Sequence, residues 1–169
     1  RVPRHNLLVG AGGFRDLMGL FNIERLGNAT MALGVAAGAL EQVTEYVQER
    51  RQFGRPIVDF QAVQLRLAEM AMKVEAARLL IHRAASNADG GLPDALETSI
   101  AKCFANEITR EVASSALQLM GGYGYAREYG MERRLRDSYG WGIAGGTVDI
   151  QKINIAGALV NRRFNQRLA

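Results

Sequence analysis

The chain has 169 residues, of which 48% are hydrophobic, 22% charged and 7% aromatic, with a net charge of +4. This length allows one domain with its own core, and the mixed charges indicate a globular rather than a disordered chain. No apolar run approaches the roughly 20 residues of a membrane helix. Bases are not interleaved with aromatics as in a nucleic-acid-binding surface, and one cysteine with two histidines nearly excludes a zinc site.

The first ten residues differ in pattern from the rest of the chain. Pro3 and the closely spaced glycines that follow are typical of the end of an extended strand and a turn. The stretch is too short to be a domain, and it begins without Met. We therefore expect residues 1–10 to be the tail of an upstream β domain and residues 11–169 to form a helical domain.

Four later stretches have apolar residues at three- and four-residue steps, the spacing of one helix face. The first two helices are predicted at roughly residues 14–50 and 58–89, and the third begins after Pro93 and Asp94. The apolar stripe of the fourth helix is Ile150, Ile153, Val160 and Phe164. Short connections rich in Gly separate the helices, including residues 140–146. The pattern predicts an all-α protein, an antiparallel up-down four-helix bundle.

Two further features have plain structural interpretations. Cys103 lies in an apolar stretch far in sequence from both histidines, so we expect a small buried side chain rather than a catalytic thiol. A single cysteine cannot form an internal disulfide, which fits a reducing compartment such as the bacterial cytoplasm or the mitochondrial matrix. The charge cluster at residues 132–137 is favoured as a solvated helix face over an anion site.

Three segments between the helices resemble the acyl-CoA dehydrogenase family in sequence, order and spacing. They are residues 49–57 with 59–64, residues 116–125 with 127–129, and residues 136–137 with 145–151. The resemblance covers essentially the whole chain and identifies it as the C-terminal helical domain of that fold. It implies FAD as cofactor, an acyl-CoA substrate, a homodimer or dimer of dimers, and electron transfer flavoprotein as the usual electron acceptor.

Several residues of these segments are candidates for cofactor contacts. Taken alone, Arg50 beside Phe53 at a helix end suits a phosphate or is a surface charge, and the glycines at 121–122 suit a helix end or a close ligand. Thr147 suits a helix N-cap or an anion contact. By resemblance, the residues that contact FAD, most of them on a neighbouring subunit's cofactor, are Arg50, Phe53, Ile57, Gln61, Gln118, Gly122 and Thr147.

The resemblance also indicates where the catalytic base lies. The family desaturates acyl thioesters: a carboxylate removes the α-proton while the β-hydrogen leaves as hydride to flavin N5. Most members place that Glu immediately before the Gly-Thr of the last turn, where this chain has Gly145. A minority, isovaleryl- and long-chain-type enzymes among them, carries it on the first long helix before an Arg. This chain has Glu24 and Arg25 there, so Glu24 is the predicted base and Arg25, with Gly145, a predicted substrate contact.

The same residues allow other interpretations of the base, of the whole chain and of Trp141. Glu24 can be a first-turn carboxylate that interacts with the helix dipole, with the base in the missing upstream part. The chain can belong to a non-catalytic subunit of a hetero-oligomer, to an enzyme acting on carrier-bound acyl or prolyl groups, to a reductase, or to a structural module. Trp141 can line a substrate pocket or pack in the core. We expect the isolated 169-residue chain to be inactive and to hold FAD weakly.

Overall fold

The computed structural model describes residues 1–88 and 90–164, and these residues form a helical bundle with one very short hairpin. In chain order the elements are α1 (Phe14–Glu49), β1 (Arg51–Gln52), β2 (Arg55–Pro56), α2 (Gln61–Ser86), α3 (Ala95–Met120), α4 (Gly122–Tyr125), α5 (Met131–Ile143) and α6 (Val148–Leu159). Single 3-10 turns occupy Arg4–Asn6, Ile57–Asp59 and Arg127–Tyr129. The two strands pair antiparallel between α1 and α2. The all-α architecture predicted from the sequence is confirmed.

The central element of the bundle is α3, which packs against α1, α2, α5 and α6. Its neighbours approach closely because the contact faces are lined by alanines. Fully buried examples are Ala29, Ala32, Ala36, Ala39, Ala77, Ala101, Ala105, Ala113 and Ala116. The predicted start of this helix is confirmed, since the Asp94 carboxylate accepts hydrogen bonds of 2.9 Å from the backbone N–H groups of Leu96 and Glu97.

The glycine-rich turn predicted at residues 140–146 is shorter than expected. Gly140 and Gly142 belong to α5, and of the glycines in this stretch only Gly145 and Gly146 lie in the turn, both with positive φ. Gly142 lies against the guanidinium of Arg110 and not in a turn: a Cβ there would overlap that group, 3.3 Å from Cζ. Sequence cannot distinguish these uses of glycine because the guanidinium comes from another helix.

Two smaller predictions were wrong. Arg4–Asn6 forms a 3-10 turn rather than the end of a strand. The apolar stripe of the last helix is not a core face, because α6 ends at Leu159 and Ile150 is exposed, as are the residues beyond the helix, Val160 and Phe164. Helix α2 ends at Ser86, and its predicted end at residue 89 lies outside the described residues.

Charged side chains cover the outer face of α5. Arg136 donates to the Glu132 carboxylate at 2.8 Å, one helical turn away, and this hydrogen bond holds the pKa of Glu132 below its usual value. Arg134 instead lies against Gly38 of α1, where its Nε donates to Gln42. Within residues 1–88 and 90–164, no helix is both long and apolar enough to cross a membrane.

Candidate functional site

Glu24 and Gly145 meet in space, although 120 positions separate them. Glu24 lies on α1 with its side chain exposed, and Gly145 lies in the turn between α5 and α6 with φ +64°. A Cβ built on Gly145 would overlap Oε2 of Glu24 and would lie 2.7 Å from Oε1 and 2.9 Å from Cδ. The Glu24 carboxylate therefore occupies the space that the first atom of a side chain at position 145 would need.

Sequence reasoning missed the lysine behind this turn. Lys102 of α3 is fully buried, and its ammonium donates at 2.8 Å to the carbonyl oxygens of Ala144 and Gly146. Burial lowers the pKa of Lys102, and the nearby Glu24 carboxylate partly offsets that shift. A signal was available, because a lysine between Ala101 and Cys103 interrupts an apolar helix face.

Buried amides extend the same network. Asn28, one turn beyond Glu24 on α1, donates to the carbonyl oxygens of Trp141 and Ala144 at 3.1 and 3.4 Å. Asn106 of α3 donates to the side-chain oxygen of Asn28 at 3.0 Å. Gln151 of α6 donates to Gly146 at 3.3 Å and accepts from Ser99. The turn is thus held from three helices, which satisfies the free carbonyls at the end of α5.

Arg25 points into a cleft beside Glu24. Its Nη1 donates to Asn22 at 2.8 Å, while its Nε is buried without a hydrogen-bond partner among the described residues. Burial lowers the pKa of Arg25, and the Glu24 charge acts in the opposite direction. The cleft has a volume of about 740 Å³ and is also lined by Asn154, Gly157, Asn161, Arg162 and Arg163. Several donors therefore face this cleft, which suits an anionic or carbonyl-rich ligand.

A second cleft lies at the other end of α1, where Arg50, Ile57 and Gly122 are brought together. It has a volume of about 550 Å³, and the Arg50 guanidinium lies 5.6 Å from the ring centroid of Tyr123 on its wall. Glu24 and Arg50 are 26 residues apart, which is about 39 Å along a helix. Most of the predicted flavin contacts are therefore far from the predicted base within one chain.

The other predicted contacts are exposed side chains. Phe53 has φ +51° and is 92% exposed, with its ring edge-on to Phe60. Gln61 is the first residue of α2, and Gln118 lies near the end of α3. Both side chains are exposed, and neither lines the Arg50 cleft. Thr147 follows Gly145 by two residues and is the N-cap of α6, where its hydroxyl accepts from the backbone N–H of Ile150 at 3.4 Å.

Trp141 packs against the core and also lines a cleft. It is partly buried against the core, and with Met31, Val35 and Ala144 it lines a cleft of about 580 Å³ between α1 and α5. Ala144 is adjacent to Gly145, so this cleft begins beside the turn.

Cys103 behaves as a packing residue. It is buried, its Sγ donates weakly to the carbonyl oxygen of Val148, and burial raises the pKa of its thiol to about 11. The thiolate reacts and the thiol does not, so the reactive form is scarce below about pH 11. We expect iodoacetamide to leave Cys103 unmodified in the native full-length protein at pH 8 and to modify it fully in urea, as read by mass spectrometry. Rapid native labelling at pH 8 would contradict this placement.

Comparison with known proteins gives a consistent set of relatives. Residues 11–160 match the family described as acyl-CoA dehydrogenase, C-terminal domain. A subunit of the caffeyl-CoA reductase-Etf complex of Acetobacterium woodii is 42% identical over 163 residues, covering 96% of this chain and 43% of the relative. The 3-sulfinopropanoyl-CoA desulfinase of Cupriavidus necator is also 42% identical, over 170 residues, covering 98% of this chain and 43% of the relative.

Solved structures agree with the sequence matches. Butyryl-CoA dehydrogenase from Megasphaera elsdenii superposes with a TM-score of 0.89 at 38% identity, covering 94% of this chain and 42% of that one. The chain thus spans less than half the length of each relative.

Proposed function

This chain belongs to the acyl-CoA dehydrogenase family, whose C-terminal domain it matches over residues 11–160, and from that membership we propose that the full-length protein desaturates an acyl-CoA thioester with Glu24 as the base. The observation that carries the proposal is the contact between Glu24 and Gly145. The last turn has no carboxylate of its own, and the Glu24 carboxylate on α1 lies where the Cβ of a side chain at position 145 would be.

Desaturation of a thioester needs a general base that can reach the α-carbon. Desaturation breaks two C–H bonds: the α-carbon loses a proton and the β-carbon loses a hydride. Glu24 would take the proton as a general base, which is effective once water is excluded around the carboxylate. Glu24 is exposed in this domain, so the bound thioester and the upstream part of the protein would have to supply that exclusion.

FAD is the proposed cofactor, and when bound it supplies the hydride acceptor. Two groups of residues suit it: Thr147, two residues after Gly145, and the Arg50, Ile57 and Gly122 cleft, with Phe53, Gln61 and Gln118 exposed around the same end of the bundle. Glu24 and Arg50 are separated by about 39 Å along α1. Because the second group resembles the residues that contact a neighbouring subunit's FAD in this family, we propose that each cofactor is shared by two chains of a homodimer or a dimer of dimers.

Arg25 is the proposed contact for the polar part of the substrate. Its side chain lines a cleft with two more arginines, Arg162 and Arg163, and three cations there suit the phosphates of CoA or of a carrier-bound pantetheine. Gly145 contributes by leaving the space for Glu24 free. The caffeyl-CoA reductase-Etf relative supports an electron transfer flavoprotein as redox partner, and the bacterial relatives support a cytoplasmic location.

The test is a panel of acyl-CoA thioesters added to the anaerobic full-length flavoprotein. We expect a saturated acyl-CoA to bleach the flavin absorbance and to yield the corresponding enoyl-CoA, with dithionite bleaching as the control for reducible flavin. Sulfite release from 3-sulfinopropanoyl-CoA without bleaching would indicate the chemistry named for the desulfinase relative instead. Bleaching by dithionite alone would indicate a non-catalytic subunit, and either result would reject the proposal.

A further inference from the structure

The most unusual buried group in the chain is the ammonium of Lys102. Among the described residues, Lys102 is the largest side chain that is fully buried. A buried charge is strongly unfavourable unless hydrogen bonds replace the lost water. The two acceptors that Lys102 finds, both at 2.8 Å, are the carbonyl oxygens of Ala144 and Gly146, the residues on either side of Gly145.

These two hydrogen bonds fix the conformation of the turn. One carbonyl on each side of Gly145 is tied to the same nitrogen, so the orientations of the two carbonyls are coupled and the positive φ of Gly145 lies between them. Ala144 follows the last residue of α5, where a helix end carries partial negative charge that a cation stabilises. Lys102 therefore anchors the turn to the central helix of the bundle.

The same turn is tied to the helix that carries Glu24. Asn28 lies four residues after Glu24, on the same face of α1, and donates to the Ala144 oxygen that also accepts from Lys102. Asn106 joins Asn28 to α3. The position of Gly145 relative to Glu24 is thus set by a polar network in which Lys102 provides the charge.

We propose that Lys102 is the positioning residue for proton abstraction by Glu24, because its ammonium holds the turn against which the Glu24 carboxylate lies. The inference rests on the proposed function of Glu24. It adds a requirement that a helix-capping lysine would not have, namely that losing the ammonium lowers the rate of flavin bleaching while KM stays nearly unchanged.

The polar groups around the turn make that requirement specific. The charges of Glu24 and Arg25 on α1 both act on the Lys102 ammonium. The Ala144 oxygen accepts from Lys102 and Asn28, and the Gly146 oxygen accepts from Lys102 and the neutral amide of Gln151. Removing the Lys102 side chain therefore leaves each oxygen with one amide donor and removes the link between the two.

The experiment compares Lys102→Met with wild type in the full-length holoprotein, using the best thioester of the panel. We expect the rate of flavin bleaching to fall about 10- to 100-fold, because small displacements of a catalytic group have effects of this size. We expect KM to change by less than about twofold, because Lys102 is not among the residues that line the cleft beside Arg25. Lys152→Met is the matched control, since it removes a surface lysine paired with Glu107 and should change none of these.

A second variant separates positioning from folding. Lys102→Gln keeps an amide donor for the turn, so its bleaching rate should lie between those of Lys102→Met and wild type, with thermal stability and FAD content also closer to wild type. A folded Lys102→Met variant with the wild-type bleaching rate would overturn the inference, even if wild type bleaches as proposed. Failure of both variants to fold would also overturn it, by assigning the ammonium to the fold alone. A wild-type protein that no thioester bleaches would instead reject the proposed function.

Discussion

Replacing Glu24 by Gln is expected to slow acyl-CoA-dependent bleaching of the full-length flavoprotein by about 10²- to 10⁴-fold, the range typical for loss of a general base. Glutamine has nearly the same shape as glutamate, so its side chain still fills the space beside Gly145 and the thioester should still bind. The measurement is stopped-flow absorbance under single-turnover conditions, with the dissociation constant of the thioester determined on the same variant. The loss should lie in the rate and not in the affinity.

A matched control is available on the same helix. Glu41→Gln removes an exposed carboxylate of α1 about 26 Å from position 24, at 1.5 Å per residue. It should bleach at the wild-type rate. If Glu24→Gln also bleaches at that rate, the base is elsewhere, and the upstream part of the protein becomes the place to look for it.

Moving the carboxylate from α1 to the last turn is expected to restore part of the activity. In wild type, Gly145→Glu should be harmful because φ +64° costs a residue with a side chain about 1–2 kcal/mol and because the new Cβ forces the exposed Glu24 side chain away from the turn. In the Glu24→Ala background the overlap is removed. We expect Glu24→Ala/Gly145→Glu to bleach about 10- to 100-fold faster than Glu24→Ala alone, a coupling that neighbouring residues commonly show.

The neighbouring glycine provides the control for backbone strain. Gly146 also has positive φ, at +91°, but a Cβ there would meet the Gln151 amide at 2.7 Å and not Glu24. Gly146→Ala should therefore be as harmful in the Glu24→Ala background as in wild type, whereas Gly145→Ala should be less harmful there, as measured by thermal midpoints. If the Glu24→Ala background changed the loss of thermal midpoint equally for both glycine variants, backbone strain alone, and not the Glu24 contact, would determine that loss.

The prediction of the fold succeeded where the determinants were local. Apolar steps of three and four residues gave the three long helices because burial of one face imposes that period. It failed at α5, where Gly140 and Gly142 read as a turn, and at the end of α6, where Val160 and Phe164 read as core. In both places the local structure depends on contacts with other helices, such as that of the Arg110 guanidinium with Gly142.

The candidate site divides in a similar way. The pairing of Glu24 with a missing side chain at Gly145 was predicted from the sequence through its resemblance to the acyl-CoA dehydrogenase family, which implies both positions for the base. Lys102, Asn28 and Asn106 were not identified, since their partners are backbone carbonyls and amides from distant segments. Every residue has a backbone carbonyl, so the type of the accepting residue does not reveal such a hydrogen bond.

By itself, the sequence determined the family, the helical architecture and the residue types at Glu24, Arg25 and Gly145. Only the tertiary structure decided that the Glu24 carboxylate lies where a side chain of residue 145 would begin, and that a buried ammonium holds the turn behind it. Helical periodicity fixes which face a residue occupies, but the distance between two faces depends on how closely the alanine-lined helices pack. That packing places a carboxylate from the first helix within contact distance of the last turn.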